Sequence, residues 1–467
     1  MNPTRVERDS MGEMHVPADA LYGASTARAV ENFPIARRPL PPEFIHAYAH
    51  LKAACATANR DLGLLDGQVA DAIVAAADEV SRGLHDQHFP VDVYQTGSGT
   101  STNMNLNEVI AHLATTRLAG RTRVHPNDHV NLGQSSNDTF PTAMHIAAAL
   151  AVETRLIPAL QRAESQLTLL SRENQGIVKV GRTHLMDATP ITFGQVFGGF
   201  AAQLQQSGNR LRLATDGLRS GLAIGGTAVG TGINTHPDFA GRVCHQLQRR
   251  VGGSWDQAPN HPEAQATRDT FLFAHACVRI AAVSLTRIAN DIRLLASGPR
   301  CGIGEVILPA IQPGSSIMPG KSNPVLCESL IQVSCRVIGN DTAIATAGLG
   351  GVGSLLELNV AMPVMIDAFL ESTNLLANAV NVFVEKVLQG LQVNQRRCAE
   401  FLEQSLMNVT ALVPAIGYDR AAEVARRAHL EQKTIRQVAR EMKLLDDATL
   451  DSLLDPQRMT RPLPPGG

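Results

Sequence analysis

The stretch Phe193–Ala214, FGQVFGGFAAQLQQSGNRLRLA, sets Phe193, Phe197, Phe200, Leu204, Ser207, Leu211 and Ala214 at alternating spacings of four and three. Side chains spaced in this way return to one face of a helix, forming the seam of helices packed nearly parallel. The seam recurs at Leu156, Leu160, Ala163, Leu167 and Leu170, and at Ala281, Leu285, Ile288, Ile292 and Leu295. A fourth copy runs through Ile366, Leu370, Thr373, Ala377, Val380, Val384, Val387 and Leu391. Together these segments predict a central long-helix domain over residues 135–391. Pro158 falls inside one seam and predicts a kink there.

On either side the pattern shortens. Residues 1–134 carry turn clusters (HVPAD, RRPLPPE) between shorter helical stretches such as Ala47–Leu64, and read as an N-terminal domain. Residues 392–467 read as a small C-terminal helical domain, with an amphipathic helix over Thr434–Met442. Its end, TRPLPPGG, has no periodicity and is expected to be mobile. Strand signals are few, so the expected fold class is all-α, mainly helical.

Composition narrows the function. Lys and Arg total 41 against 43 Asp and Glu, a balance that argues against nucleic acid or a membrane surface as partner. Aromatic residues are only 4%, so the interior is built from Ala, Leu, Val and Ile, which suit close helix packing. No uninterrupted apolar run reaches the roughly 18 residues of a membrane span. The N-terminus (MNPTRVERDSMGEMHVPAD) is polar and lacks a secretory pattern, so a cytoplasmic protein is expected. The seven cysteines form no C-x-x-C pair; they read as reduced core thiols, with no metal or iron–sulfur cofactor. Long helices with little charge on a second face bury it against other subunits, so an oligomer is expected.

Polar segments rich in Gly, Ser, Thr and Asn interrupt the helices. They are Thr96–Asn107 (TGSGTSTNMNLN), His125–Asp138 (HPNDHVNLGQSSND), Gln312–Pro324 (QPGSSIMPGKSNP) and the shorter Gly181–Pro190 (GRTHLMDATP). Helix caps and turns use the same residues, and a single such segment needs no other explanation. Several, loaded with more hydroxyls and amides than caps require, favour a small polar anion, since these groups donate to carboxylate oxygens. A single lysine, Lys321, lies in the most Gly-rich loop, and no phosphate-binding Gly motif is present. A small di-acid fits better than a nucleotide. His184, flanked by Arg182, Thr183 and Asp187, is the acid–base candidate, because imidazole titrates nearest neutrality. Ser315 and Ser316 are the nucleophile or base candidates; no G-x-S-x-G elbow surrounds them, which weighs against acyl hydrolysis.

The loop GSSIMPGKSNP (Gly314–Pro324) resembles the signature of the fumarase/aspartase superfamily. The resemblance continues through ADALYGASTARAVENFPI, QTGSGTSTNMNLNEVIA, HPNDHVN, QSSNDTFPTAMHIA, GRTHLMDATPITFGQ, GGTAVGTGINTH, NDIRLLASGPRCGIGE and IGYDRAAEVA. Within the superfamily the chain resembles the class II fumarases. Aspartases typically carry Gln where this chain has His184, and Ala where it has Gly320.

The resemblance implies a three-domain subunit, a homotetramer sharing one central bundle, and active sites built from three subunits. It implies reversible anti hydration of fumarate to (S)-malate without a cofactor. Ser315 matches the catalytic base, activated as an oxyanion by Lys321 and loop N–H groups. His184 matches the residue that helps the C2 hydroxyl depart, and Glu328 its carboxylate partner, brought to it by the helix after Pro324. Without the resemblance, Glu328 would read as a first-turn glutamate favoured by the helix dipole. Ser98, Thr100, Ser135, Ser136, Asn137, Thr183, Ser316, Lys321 and Asn323 match substrate contacts. His125, Asn127 and Asp128 match a secondary anion site, where the pattern departs at His129 and Thr122, with Arg121 and Arg123 on either side of the latter. The competing readings are a sister enzyme acting on aspartate or a substituted fumarate such as mesaconate, and a non-catalytic protein on the same scaffold. Retention of His184, Ser315, Lys321 and Glu328 weighs against the second.

Overall fold

The chain, as a computed structural model, is described over residues 3–462; Leu463–Gly467 of the predicted mobile tail lie outside the described residues. A hairpin of β1 (Thr4–Asp9) and β2 (Gly12–Pro17) precedes α1 (Ala24–Asn32), α2 (Pro42–Asp61), α3 (Gly67–Ser81) and α4 (Thr100–Arg117). Next come α5 (Ser136–Ala151) and α6 (Ile157–Glu173), then a second hairpin, β3 (Val178–Thr183) and β4 (Met186–Thr192). The remaining long helices are α7 (Phe193–Arg219), α10 (Asp269–Leu295), α11 (Val325–Gly348) and α12 (Met362–Lys386). Shorter α8 (Phe239–Val251) and α9 (His261–Ala266) lie between α7 and α10. Five helices close the chain: α13 (Gln395–Gln404), α14 (Val413–Ile416), α15 (Tyr418–Glu431), α16 (Ile435–Glu441) and α17 (Asp447–Leu453).

The seams mark the long helices. Every seam residue of α6, α7, α10 and α12 is buried. Helix α12 ends at Lys386, so Val387 and Leu391 continue its buried line from outside it, on either side of a short 3₁₀ turn. Pro158 does not end its helix. A π turn, Val152–Leu156, joins α5 to α6 just ahead of it. The wider turn makes room where the ring excludes the regular backbone bond. Helix α11 has no seam visible in hydropathy, yet Cys327, Leu330, Ser334, Val337, Asn340, Ile344 and Ala347 are all buried at steps of three and four. Ser334 and Asn340 disguise it; the Asn340 amide donates to the Ala368 carbonyl (3.2 Å) and the Ser372 hydroxyl (3.0 Å).

Two compact units partition the chain. One holds everything up to Pro158, then Gly208–Ala282 and Val333–Ala377; the other holds Ala159–Ser207, Val283–Gln332 and Asn378 onward. In the first, α2 is deeply buried, with Ala47, Ala49, Ala53, Ala54 and Ala58 allowing neighbours to approach and Phe44 packed on Phe140 at 4.8 Å. Buried His275 ties its helices together, its ring nitrogens 2.9 Å from Asp341 and 3.0 Å from Ser372. In the second, α15, α16 and α17 enclose a core of Val424, Ala428, Ile435, Val438 and Leu450. Thr434 caps α16 in a reciprocal pair with Gln437.

Two surfaces depart from expectation. Cys301 and Cys335 are exposed; the other cysteines are buried and all are free thiols. By length and hydropathy, the helical stretches Ser136–Glu173 and Asp269–Leu295 could cross a membrane, yet 67% and 56% of their most apolar windows are buried inside the protein. Helix α10 also exposes Phe273, Ile280, Val283 and Leu294.

Candidate active site

The Thr96–Asn107 and His125–Asp138 segments meet in the first unit through the N-termini of α4 and α5. Gly99 enters α4 in the left-handed region (φ 73°), a conformation that favours glycine. It has no room for a side chain, since a Cβ would stand 2.0 Å from the Phe140 ring. This close fit presents a chain of hydroxyls: Ser98 to Thr100 at 2.8 Å, and Thr100 to Ser136 at 2.7 Å. Ser135 caps α5, its hydroxyl accepting from the Asn137 N–H (3.2 Å), while its own N–H donates to Asp138 (2.9 Å). The Asn137 amide donates to the Ala228 carbonyl (2.9 Å), bringing in the Gly-rich stretch that begins at Gly225.

Sequence reasoning missed what holds these loops. Asp138 is fully buried and accepts from the backbone N–H groups of Ser135 (2.9 Å), Gly225 (3.0 Å) and Thr227 (3.0 Å). Burial pushes its carboxyl up to about 7. Lys52, also fully buried, donates to the side-chain oxygens of Asn131 (2.9 Å) and Gln134 (3.0 Å). Burial brings its ammonium down to about 8. In the sequence, Asp138 follows Ser135 at capping-box spacing, and Lys52 is a lone cation among small residues.

In the second unit, Thr183 and His184 lie at the tip of the β3–β4 hairpin. Thr183 pairs with Met186, leaving His184 (φ 57°) and Leu185 (φ 62°) both left-handed between them. Such a two-residue turn matches strand twist but usually selects Asn or Gly, so neither residue adopts it without strain. Thr183 and His184 are exposed.

The Gln312–Pro324 loop folds back on itself. The Gly314 N–H donates to the Lys321 carbonyl (2.7 Å), and the Asn323 amide donates to the Gly314 carbonyl (2.8 Å). Ser315 stands at the centre, its hydroxyl oxygen accepting from the N–H groups of Ile317 (3.2 Å) and Met318 (3.0 Å). Ser316 and Lys321 are exposed. Glu328 lies in the first turn of α11, its N–H bonded to the Pro324 carbonyl (3.2 Å). Among the described residues, the side chains of His184, Lys321 and Glu328 make no hydrogen bond or ion pair, so the chain by itself does not join His184 to Glu328.

His125 caps a π turn, Pro126–Val130; its Nδ1 accepts from the N–H groups of Asn127 (3.3 Å) and Asp128 (3.1 Å), leaving Nε2 as the ring donor. His129 Nδ1 accepts from the His125 N–H (2.9 Å). Arg123, Arg5 and Arg8 line a cavity of about 400 Å³ with His125, whereas Arg121 does not. No group of three His, Cys, Asp or Glu side chains among the described residues is arranged to hold a metal ion.

A lyase family model matches residues 12–339, and the fumarase C C-terminus matches residues 409–461. The chain is 50% identical over 465 residues to fumarate hydratase class II of Nitrosomonas europaea, covering 98% of this chain and 100% of that one. It is 52% identical over 457 residues to fumarate hydratase class II of Corynebacterium efficiens, covering 97% and 95%. The crystal structure of a class II fumarase from Schistosoma mansoni matches with a TM-score of 0.95 at 38% identity, covering 98% of this chain and 99% of that one.

Proposed function

This chain belongs to the class II fumarase family and is a hydro-lyase, and we propose that Ser315, His184 and Glu328 carry its interconversion of fumarate and (S)-malate. In dehydration, Ser315 takes the C3 proton of malate and the adjacent carboxylate absorbs the negative charge. His184 then delivers a proton to the departing C2 hydroxyl through a water, and the carbon–carbon double bond closes as water leaves. Glu328 orients the imidazole and favours its charged form. The observation that supports this most is the pair of backbone N–H groups on the Ser315 oxygen. An alcohol is a base only as an oxyanion, and two fixed donors lower the cost of that charge. Lys321, with no partner in the protomer, adds a cation.

The dicarboxylate is read as held by Ser98, Thr100, Ser135, Ser136 and Asn137 at two helix N-termini, and by Thr183, Ser316, Lys321 and Asn323. Helix N-termini favour anions, so the hydroxyl chain between α4 and α5 stands where carboxylate oxygens are stabilised. A homotetramer in which three subunits complete each site accounts for the unpartnered His184 and Glu328 and for the apolar residues exposed on α10. The organisation proposed for the subunit is 1–134, 135–391 and 392–467, in a cytoplasmic enzyme that needs no cofactor. His125, Asn127 and Asp128, beside Arg123, are read as a secondary anion site.

The test is the rise of fumarate ultraviolet absorbance from malate in the presence of a chelator. Sustained turnover is expected. Loss of rate with chelator would overturn the cofactor-free reading. Ammonia release from aspartate, or greater activity on a methylated fumarate, would shift the assignment to a sister enzyme.

A further inference from the structure

Glu305 lies more than 120 residues from His184 in sequence, yet it is fully buried beside the His184 hairpin. Arg182 grips it with both terminal nitrogens, at 2.8 and 3.2 Å, and Lys179 approaches the same carboxylate at 3.3 Å. Both cations belong to β3. Residues three apart in a regular strand leave on opposite faces. Here the β3–β4 register slips between Val180 and Gly181, and the added twist of the bulge lets both side chains reach one carboxylate. Gly181 is required at this point, because a Cβ would stand 2.3 Å from the Thr189 carbonyl.

Glu305 is itself held along its backbone. Its N–H donates to the Leu295 carbonyl (3.0 Å), and its carbonyl accepts from the Asn394 N–H (2.9 Å). The Arg182 guanidinium lies over the Phe401 ring at 5.5 Å, and Arg397 lies over the same ring at 4.1 Å. Arg182 is thus fully engaged in the protomer, two residues before His184.

We propose that Glu305 is a positioning residue for the reaction, fixing the strained His184 turn through Arg182 and Lys179. This rests on the assignment of His184 made above. A bidentate, buried clamp at the base of a two-residue turn limits the turn's excursions, and displacement of a reacting group by about 1 Å costs on the order of 10²-fold in rate. Arg182 is therefore a positioning group, not a substrate ligand.

The experiment compares steady-state kinetics and thermal unfolding of full-length Glu305→Gln, Glu305→Asp, Arg182→Lys and His184→Gln. Glu305→Gln is expected to lower kcat roughly 10- to 100-fold while KM for malate moves far less. Glu305→Asp, which keeps the charge, recovers part of kcat. Should Glu305→Gln not fold, Arg182→Lys carries the test, since it leaves every charge in place and removes only the bidentate grip; its kcat falls similarly. Folded Glu305→Gln or Arg182→Lys with wild-type kcat, while His184→Gln is inactive, overturns the proposal alone. A rise in KM at unchanged kcat also overturns it, by assigning the cluster to binding. Wild-type kcat in His184→Gln overturns the His184 assignment, and the proposal with it.

Discussion

The Thr100 hydroxyl stands 2.7 Å from the Ser136 hydroxyl, so the first turns of α4 and α5 share a hydrogen bond. Two loops separated in sequence thereby become one donor surface, with the positive ends of two helix dipoles behind it. Ser136→Ala removes one donor from that surface. A hydrogen bond to a charged group is worth about 1.5–3 kcal/mol, so KM for malate should rise roughly 10- to 100-fold. Unchanged KM in a folded Ser136→Ala enzyme removes Ser136 from substrate binding.

Ser315→Ala deletes the oxygen that receives the Ile317 and Met318 N–H groups. Turnover should fall by about 10²–10⁴-fold or more, the contribution of a general base. The exposed loop tolerates the change, so the thermal midpoint should stay close to wild type. Near-normal turnover would falsify the assignment of Ser315 as base.

The glycines of the TGSGT loop allow a gradient of substitutions. A Cβ on Gly97 would stand 1.5 Å from the Val360 carbonyl, and one on Gly99 2.0 Å from Phe140. Gly97→Ala and Gly99→Ala should each destabilise by about 1–3 kcal/mol or more, and should weaken substrate binding as the loop shifts. Gly120 has φ 71° but nothing within 4 Å of its Cβ position, so Gly120→Ala should cost only about 1 kcal/mol, from backbone strain. Equal thermal midpoints for all three variants would refute the packing argument.

His145 supplies a pH dependence of known sign. It is buried, with Nδ1 3.0 Å from the Leu218 carbonyl, and burial, aided by the charge of Arg268, lowers it to about 3. The unfolded chain takes up a proton near pH 6.5, but the folded chain does not until about pH 3. Its contribution is therefore complete above about pH 6.5 and is lost on acidification at up to about 1.4 kcal/mol per pH unit. Asp138, raised by burial, opposes this, adding stability as pH falls below about 7. His145→Asn keeps a donor for Leu218 and removes the titration. Between pH 6.5 and 4.5 its urea midpoint should fall less than that of the wild type; parallel curves would show that His145 does not drive the acid loss.

The long helices were legible because burial periodicity is local: Phe193 through Ala214 declare one face without reference to any other segment. Helix α11 was expected after Pro324 only through the resemblance; its seam escaped because Ser334 and Asn340 occupy buried positions, and only the partners offered by α12 make Asn340 acceptable there. The capping boxes at Ser135 and Thr434 are likewise local, since both partners lie within one turn.

For the candidate site, hydroxyl-rich loops and a neutral-range imidazole pointed to a small di-acid, and the signature loop assigned roles to Ser315, His184 and Glu328. Asp138, Lys52 and Glu305 were not legible as supports. Asp138 binds backbone 87 and 89 residues away, and Glu305 meets Arg182 across 123 residues. A buried charge is tolerated only when distant donors converge on it.

By itself, the sequence determined the buried faces of four long helices, the loops in which hydroxyl and amide donors gather and the titratable side chains beside them, because these follow from residue type and short-range spacing. Only the tertiary structure decided which hydroxyls share a bond, which N–H groups face Ser315 and what clamps the His184 turn. Those depend on desolvation and geometry at atoms that the chain brings together only on folding.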